Sequence, residues 1–355
     1  MNKKKSTIRI KDIAQKAGVS IGTVDRVLHN RGEVSEATKE KVLKIIKELN
    51  YQPNILASSL ASKKNYNFAI FIPKPLTSES YWNKPMTGIE KARGEIQQYG
   101  VNISYHFFDL FDKNSFVESS KKLIEDDPQG VILAPYFLKE SIEVIRQLEQ
   151  QEIPYVFIDS NIKEQAQLSY IGQNSLQSGA LAARLLDLCV SKQESLLIVN
   201  FANDQDNLNH LNQRKDGFTA YFDKQEEPKR KVVSLKSNDQ EDHVLHKELD
   251  DILDKNKDIK GIYVTNSKAH RVAKYIEKRN LKDIFLIGYD LIPENAKHLR
   301  SGIIEFLICQ RPEEQGYNAT YTLFNHIIAR KETIKENYTS IDIVTKENVD
   351  YYKEL

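Results

Sequence analysis

The sequence predicts an α/β protein: an N-terminal helix-turn-helix headpiece and a hinge helix, followed by two doubly wound parallel-sheet lobes. Three observations carry that prediction. Apolar residues recur at helical intervals through the first 52 residues, with glycines where the helices must stop. Beyond residue 65, short apolar runs alternate with longer amphipathic stretches, the pattern of strand, helix, strand repeated. Charge is divided along the chain: residues 1–64 hold 14 Lys+Arg against 6 Asp+Glu, and the remainder 37 against 44, so a total of +1 conceals a basic end on an acidic body.

In the headpiece the stripes are Ile13, Ala14 and Ala17, then Val24, Val27 and Leu28, then Val42, Ile45, Ile46 and Leu49. Gly18 ends the first helix, while Ser20 and Ser35 are positioned to cap the second and third by accepting a backbone N–H. A tight helix-turn-helix of this kind presents the start of its second helix to the bases of a major groove, and the surrounding Lys and Arg neutralise phosphates. The expected partner is therefore double-stranded DNA. Pro53 and Asn54 start a further helical segment, ILASSLA, which is shorter than the ~12–15 residues an isolated helix needs in water. It is expected to be unformed alone.

Strands are expected at 68–72, 101–107, 131–134, 155–158, 196–200, 232–235, 261–264, 284–289 and 303–308, with helices among them at 86–99, 176–190, 209–223, 243–254, 268–278 and 313–329. Some 290 residues arranged this way make two sheets more plausible than one. The expected division is 1–52 headpiece, 53–65 hinge helix and linker, 66–172 with 312–338 one lobe, and 173–311 with 339–355 the other. Open parallel sheets place ligands beyond the carboxyl ends of their strands. There the chain offers Glu79, Tyr81 and Trp82 after the first strand, Asp159 and Asn161 after the fourth, Asn266, Asp290 and Gln310 after later ones, and Arg214 before a helix. Flat rings for an apolar C–H face, with carboxylates, amides and a guanidinium for adjacent hydroxyls, form the equipment of a sugar pocket.

Residues 8–61 resemble the headpiece of the LacI/GalR family of bacterial transcription regulators through AGVS, TV, RV, VSEATKEKV and ELNYQPN. Residues 66–355 resemble the periplasmic sugar-binding-protein fold of ribose type through the TyrTrp pair, FIDS, GQN, SGALAARLL, QRKDGF, VTNS, IGYD and ICQRP. The resemblance implies DNA contacts at Ser20, Ile21, Gly22, Thr23, Arg26, Asn30, Asn54, Ala57 and Leu60. It also implies a hinge that folds as a pair in the minor groove, where Leu60 is levered between base pairs at a cost of a few kcal/mol. Sugar contacts are implied at Tyr81, Trp82, Asp159, Arg214, Asn266, Asp290 and Gln310. Arg26 can bond bidentately to guanine, but Ile21 offers only apolar contact and Gly22 none, so direct readout is expected to be sparse. Three departures stand out. Arg9 replaces a threonine cap, Asp25 replaces a serine and either pairs with His29 or repels phosphate, and Ser160 replaces an arginine of ribose binders.

Other chemistries lack support. No GxGxxG or P-loop follows a strand, so no cofactor is expected. Cys189 and Cys309 are expected to be buried reduced thiols, and His210, His243 and His246 to be solvated without metal-ligand spacing. No Ser/His/carboxylate set reads as a nucleophile elbow, and no enzyme is expected. The basic N-terminus lacks an apolar core, and no run approaches the ~20 apolar residues of a membrane span, which predicts a cytoplasmic protein. A tail too short for a heptad bundle argues for a homodimer. The expected function is repression of carbohydrate genes from a near-palindromic operator under control of a small sugar. The alternatives are a similar regulator sensing a purine or another non-sugar ligand and, disfavoured for want of an export signal, a transport protein.

Overall fold

A computed structural model describes residues 9–28, 32, 34–49, 64–77, 80–201, 209–224, 229–238 and 241–352. The chain divides into a unit ending at Ser58 and a second unit from Ser59 onward. Asn30, Asn54, Ala57 and Leu60, together with His29, Glu79 and the expected hinge helix, lie outside the described residues.

The first unit holds α1 (Ile10–Ala17), α2 (Ile21–Leu28) and α3 (Glu36–Glu48). Their apolar stripes meet in one core of Ile13, Ala14, Ala17, Val24, Val27, Val42 and Ile45. Gly18 ends α1 at φ +66°, a conformation that costs glycine little, and the next residue, Val19, bonds back to the Ala14 carbonyl at 3.1 Å. The Arg9 departure is answered from inside the helix: the Asp12 carboxylate accepts the Arg9 N–H at 2.8 Å. Ser20 Oγ accepts the Thr23 N–H at 3.1 Å and caps α2. Ser35 does not act as expected. Its hydroxyl pairs with that of Thr38 at 2.8 Å, and the Thr38 N–H goes to the Ser35 carbonyl instead.

In the second unit the strands are β1 (Tyr66–Pro73), β2 (Val101–Phe108), β3 (Gly130–Leu133), β4 (Tyr155–Ile158), β5 (Ser169–Gly172), β6 (Ser195–Phe201), β7 (Val232–Ser237), β8 (Ile259–Val264), β9 (Phe285–Tyr289), β10 (Phe306–Cys309), β11 (Glu336–Tyr338) and β12 (Asp342–Val344). They form two six-stranded sheets, ordered β11-β5-β4-β3-β1-β2 and β12-β10-β9-β8-β6-β7. The two orders are the same pattern written twice. All pairings are parallel except β12 on β10. The chain therefore crosses between lobes after β5, after β10 and between β11 and β12.

The sequence pattern missed β5, β11 and β12, which have only four, three and three residues; β11 and β12 are extended by pairing at a sheet edge, and β5 by pairing with β4 on one side and β11 on the other. It also began β10 too early. The Ile303 and Ile304 N–H groups bond to the His298 carbonyl at 3.0 and 3.1 Å, so this apolar pair wraps the end of a helix before the strand begins.

The helices of the second unit are α4 (Asn83–Ile96), α5 (Lys113–Glu125), α6 (Leu138–Gln150), α7 (Ser175–Cys189), α8 (Asn209–Asp223), α9 (Asp242–Lys255), α10 (Ala269–Arg279), α11 (Pro293–Arg300) and α12 (Pro312–Ile327). Each lobe contains one helix crossing too close for side chains. A Cβ on Gly88 of α4 would lie 1.9 Å from the Glu313 carbonyl oxygen, and one on Gly316 of α12 would lie 2.0 Å from that of Pro85. In the other lobe, a Cβ on Gly179 of α7 would lie 1.9 Å from the Arg214 carbonyl, and one on Gly217 of α8 equally close to that of Leu176. In both lobes each glycine receives the carbonyl three residues before its partner glycine. The second crossing fixes the backbone of Arg214 and so the placement of a cleft residue.

Gly179→Ala should lower stability by roughly 1–3 kcal/mol, because two helix backbones must separate. Gly94→Ala, on α4 with no atom within 4 Å of the added Cβ, should instead raise it by roughly 0.5–1 kcal/mol. Thermal melts of the two variants check the contrast, and equal effects would contradict it.

Candidate functional site

On the headpiece, Ile21 is 56% exposed, Gly22 and Arg26 are exposed, and Val24 and Val27 face inward. Ser20 and Thr23 are engaged with each other, their hydroxyl oxygens 2.9 Å apart. Arg26 folds its Nε onto the Gly22 carbonyl at 3.2 Å, which holds the guanidinium along the first turn of α2. Packing does not demand glycine at position 22. A Cβ there would meet only Ser20 Oγ, at 3.8 Å, so the gap beside Ile21 belongs to the exposed face and not to the core.

In the second unit, Tyr81, Trp82, Asp159, Arg214, Asn266, Asp290 and Gln310 lie at or beyond the carboxyl ends of strands, or on α8 facing them, as the parallel topology requires. Asp159 and Asp290 each follow the fourth principal strand of their lobe, and each has φ +65°. That left-handed turn, tolerated by aspartate better than by most residues, re-aims the carboxylate from the strand direction into the cleft. Tyr81 donates its hydroxyl to Asp159 Oδ1 at 2.9 Å. Trp82, nearly buried, meets the Tyr81 ring edge-on at 5.3 Å.

Across the cleft Arg214, only 2% exposed, lays its guanidinium over the Tyr289 ring at 3.7 Å. It donates from Nη1 to the Thr265 carbonyl at 2.8 Å and from Nη2 to Gln310 Oε1 at 2.7 Å. Gln310 in turn donates Nε2 to both oxygens of Asp290, at 2.9 and 3.1 Å. The Arg214 Nε is buried and, among the described residues, has no acceptor. An anionic or hydroxyl oxygen brought to that edge would satisfy it. Asn266 stands apart from this chain: its amide braces its own loop, Nδ2 to the Phe201 carbonyl at 3.1 Å and Oδ1 accepting the Lys268 N–H at 3.2 Å.

Electrostatics follow from burial. Desolvation raises the Asp159 carboxyl, opposed by the Tyr81 hydrogen bond and by Arg214. It pushes Asp290 up to about 6, opposed by Arg214 and Gln310. Tyr81 is raised well above the ordinary phenol value by burial and then by the two carboxylates. A carboxyl accepts hydrogen bonds from hydroxyls when ionised and can donate one when protonated.

Sequence reasoning missed the residues that join the lobes. Gln315, on the buried face of α12, donates to the Gln310 carbonyl at 3.0 Å and accepts the Asp159 N–H at 3.0 Å. Thr339 donates to the same Gln310 carbonyl at 3.0 Å, and Gln173 to the Cys309 carbonyl at 3.1 Å, which ties the three crossings together. The available signal was a glutamine interrupting the apolar face of α12. His210 is not solvated as expected: its Nδ1 lies 3.3 Å from Ser160 Oγ of the other lobe, and burial, then Arg214, push its pKa down to about 3. Beside it, Asn209 donates to the Asn161 carbonyl at 2.9 Å. Of the two cysteines, Cys309 is buried and Cys189 only half-buried. A chamber of about 480 Å³ opens beside the cluster and shares Tyr81, Asp290 and Gln310 with it. Trp82, Asp159, Arg214 and Asn266 lie outside its walls.

A helix-turn-helix head on a two-lobed body with a polar cleft defines a class, and comparison with known proteins names it. Residues 9–54 match the model for bacterial regulatory proteins of the lacI family, and residues 68–331 the periplasmic binding protein domain. The chain belongs to the LacI family of bacterial regulators. A crystal structure described as a LacI transcriptional regulator from Bacteroides fragilis is 35% identical, covers 81% of this chain and 100% of that one, and superposes with TM-score 0.75. The HTH-type transcriptional regulator RegA of Clostridium acetobutylicum is 33% identical over 157 residues, so the chain spans only 44% of that relative's length, and 44% of its own. The ribose operon repressor of Halalkalibacterium halodurans is 28% identical over 80% of each chain. GanP, a glucose-galactose binding protein of Geobacillus stearothermophilus, at 23% identity and TM-score 0.71 over 80% of this chain and 99% of that one, shares the fold. Among the described residues no helix is long and apolar enough to cross a membrane.

The raised Asp290 carboxyl sets a pH dependence. Its folded pKa lies above the unfolded value, so its contribution is fully present below about pH 4 and is lost as pH rises through about 6. Asp290→Asn removes the titration. Relative to that variant, the parent should lose roughly 1–3 kcal/mol between pH 4 and 7, read as a changing gap between the two melting curves; a constant gap would contradict the assignment.

Proposed function

We propose that the protein is a homodimeric repressor of carbohydrate genes that binds a near-palindromic operator through two headpieces and responds to a small sugar held between its lobes. The observation that carries this reading is the cleft cluster. Aromatic Tyr81 and Trp82, carboxylates Asp159 and Asp290, and the Arg214–Gln310 pair converge from both lobes, while the same chain carries a DNA-reading helix. Relatives named ribose operon repressor and catabolite control protein A support the class of target genes.

Sugar hydroxyls bridging Asp159 in one lobe to Arg214 and Asp290 in the other favour the closed arrangement. The strand crossings at Gln173, Gln310 and Thr339 turn lobe closure into a changed placement of the segments that precede β1. Coupling of this kind is typically about 1–3 kcal/mol per site. The chemistry is binding alone, with no catalytic step, and the protein works in the cytoplasm.

Footprinting the DNA that flanks the coding region, with and without candidate sugars, tests the scheme. A protected near-palindrome whose occupancy changes with one sugar is expected; no protection in either state would refute it. Arg26→Ala should cost roughly 1–3 kcal/mol of operator affinity and relax preference at one base pair. An unchanged base preference in a competition assay would remove Arg26 from the reading face.

A further inference from the structure

The chamber beside the cleft cluster extends from the shared wall of Tyr81, Asp290 and Gln310 along the first turn of α4 to Lys84, and past the start of α11 to Arg300. Its volume, about 480 Å³, is that of a small-molecule site. Its charges are unevenly matched. Arg300 pairs with Asp350 at 3.1 Å, and Asp290 is bonded by the Gln310 amide. Lys84 is half-buried, and among the described residues its ammonium has neither a hydrogen-bond nor an ion-pair partner. The first turn of α4 holds no acidic residue, so the helix N-terminus adds to the positive field. Opposite, Leu291 and Ile292 supply an apolar wall suited to the carbon face of a ring.

We propose that this chamber is an anion-accepting extension of the effector site: the effector is a sugar carrying a phosphate or carboxylate, with its ring against Asp290 and Gln310 and its anionic group at Lys84. A charge-assisted bond to a half-buried ammonium is stronger than one between neutral groups. Lys84 belongs to one lobe and Asp290 to the other, so such a ligand also clamps the cleft shut. The proposal rests on the reading of the cleft as a sugar site.

The test uses the full chain, with Trp82 emission and calorimetry as readouts, against ribose, glucose, ribose 5-phosphate, glucose 6-phosphate, gluconate, maltose and inorganic phosphate. The expected result is one anionic sugar binding roughly tenfold or more tighter than its neutral parent. Phosphate esters against gluconate identify the source of the anion. Lys84→Met should bring the ratio of the two affinities close to one, and Lys84→Arg should keep most of the preference. A neutral sugar that binds as tightly as its anionic derivative, maltose outcompeting both, or full preference retained in K84M would overturn the anionic extension while leaving the sugar site standing. No response to any sugar would overturn both.

Discussion

The guanidinium of Arg214 is the charge around which the effector unit is arranged. Taking it out of water costs several kcal/mol unless neighbouring groups replace its hydration. The Thr265 carbonyl, the Gln310 side chain and the face of Tyr289 do so, and Asp159 and Asp290 supply opposite charge from the two lobes. Tyr289 is itself held by hydroxyl contacts with Ser178 at 2.8 Å and Tyr263 at 2.9 Å, so the floor beneath the cation is rigid. A fixed cation whose Nε–H has no acceptor among the described residues suits the proposed binding of ligand oxygens. Any movement that separates the lobes alters its surroundings.

The two lobes solve the same packing problem twice. Both repeat one strand order, both turn an aspartate into the cleft at φ +65°, and both bring two helix backbones together through reciprocal glycines. Close crossings of this kind leave little room for the helices to slide within a lobe. The lobe closure proposed above would then be confined to the three crossings, where Gln315 and Thr339 converge on the Gln310 carbonyl. The residue that bonds Arg214 and Asp290 through its side chain is thus tied to the hinge through its backbone. Under the proposed function, ligand contact and lobe angle share one amino acid.

The headpiece works by a different economy of contacts. Its core is small and wholly apolar, and its exposed α2 face offers Ile21, an open position at Gly22, and Arg26 anchored on the helix backbone. With so few groups able to read base edges, specificity on the proposed operator falls to Arg26, to phosphate contacts that fix register, and to DNA shape. That distribution suits the proposed control of operator affinity by a sugar, since no large direct-readout energy has to be reversed.

Much of this was legible in the residues alone. Helical spacing identified α1 to α3 and their core, and the capping roles of Gly18 and Ser20 followed from local stereochemistry; alternating apolar runs gave nine of the strands and the parallel class. These are properties of short segments, set by interactions a few residues apart. The sequence also named the cleft side chains, because strand ends are where a parallel sheet exposes them. Tertiary structure decided the rest. The short strands β5, β11 and β12 exist only through pairing with strands far along the chain. His210 became an inter-lobe contact, Asn266 a loop brace, and Gln315 the link between Asp159 and Gln310, since each of those roles depends on a partner far along the chain that only the folded topology brings within hydrogen-bonding distance.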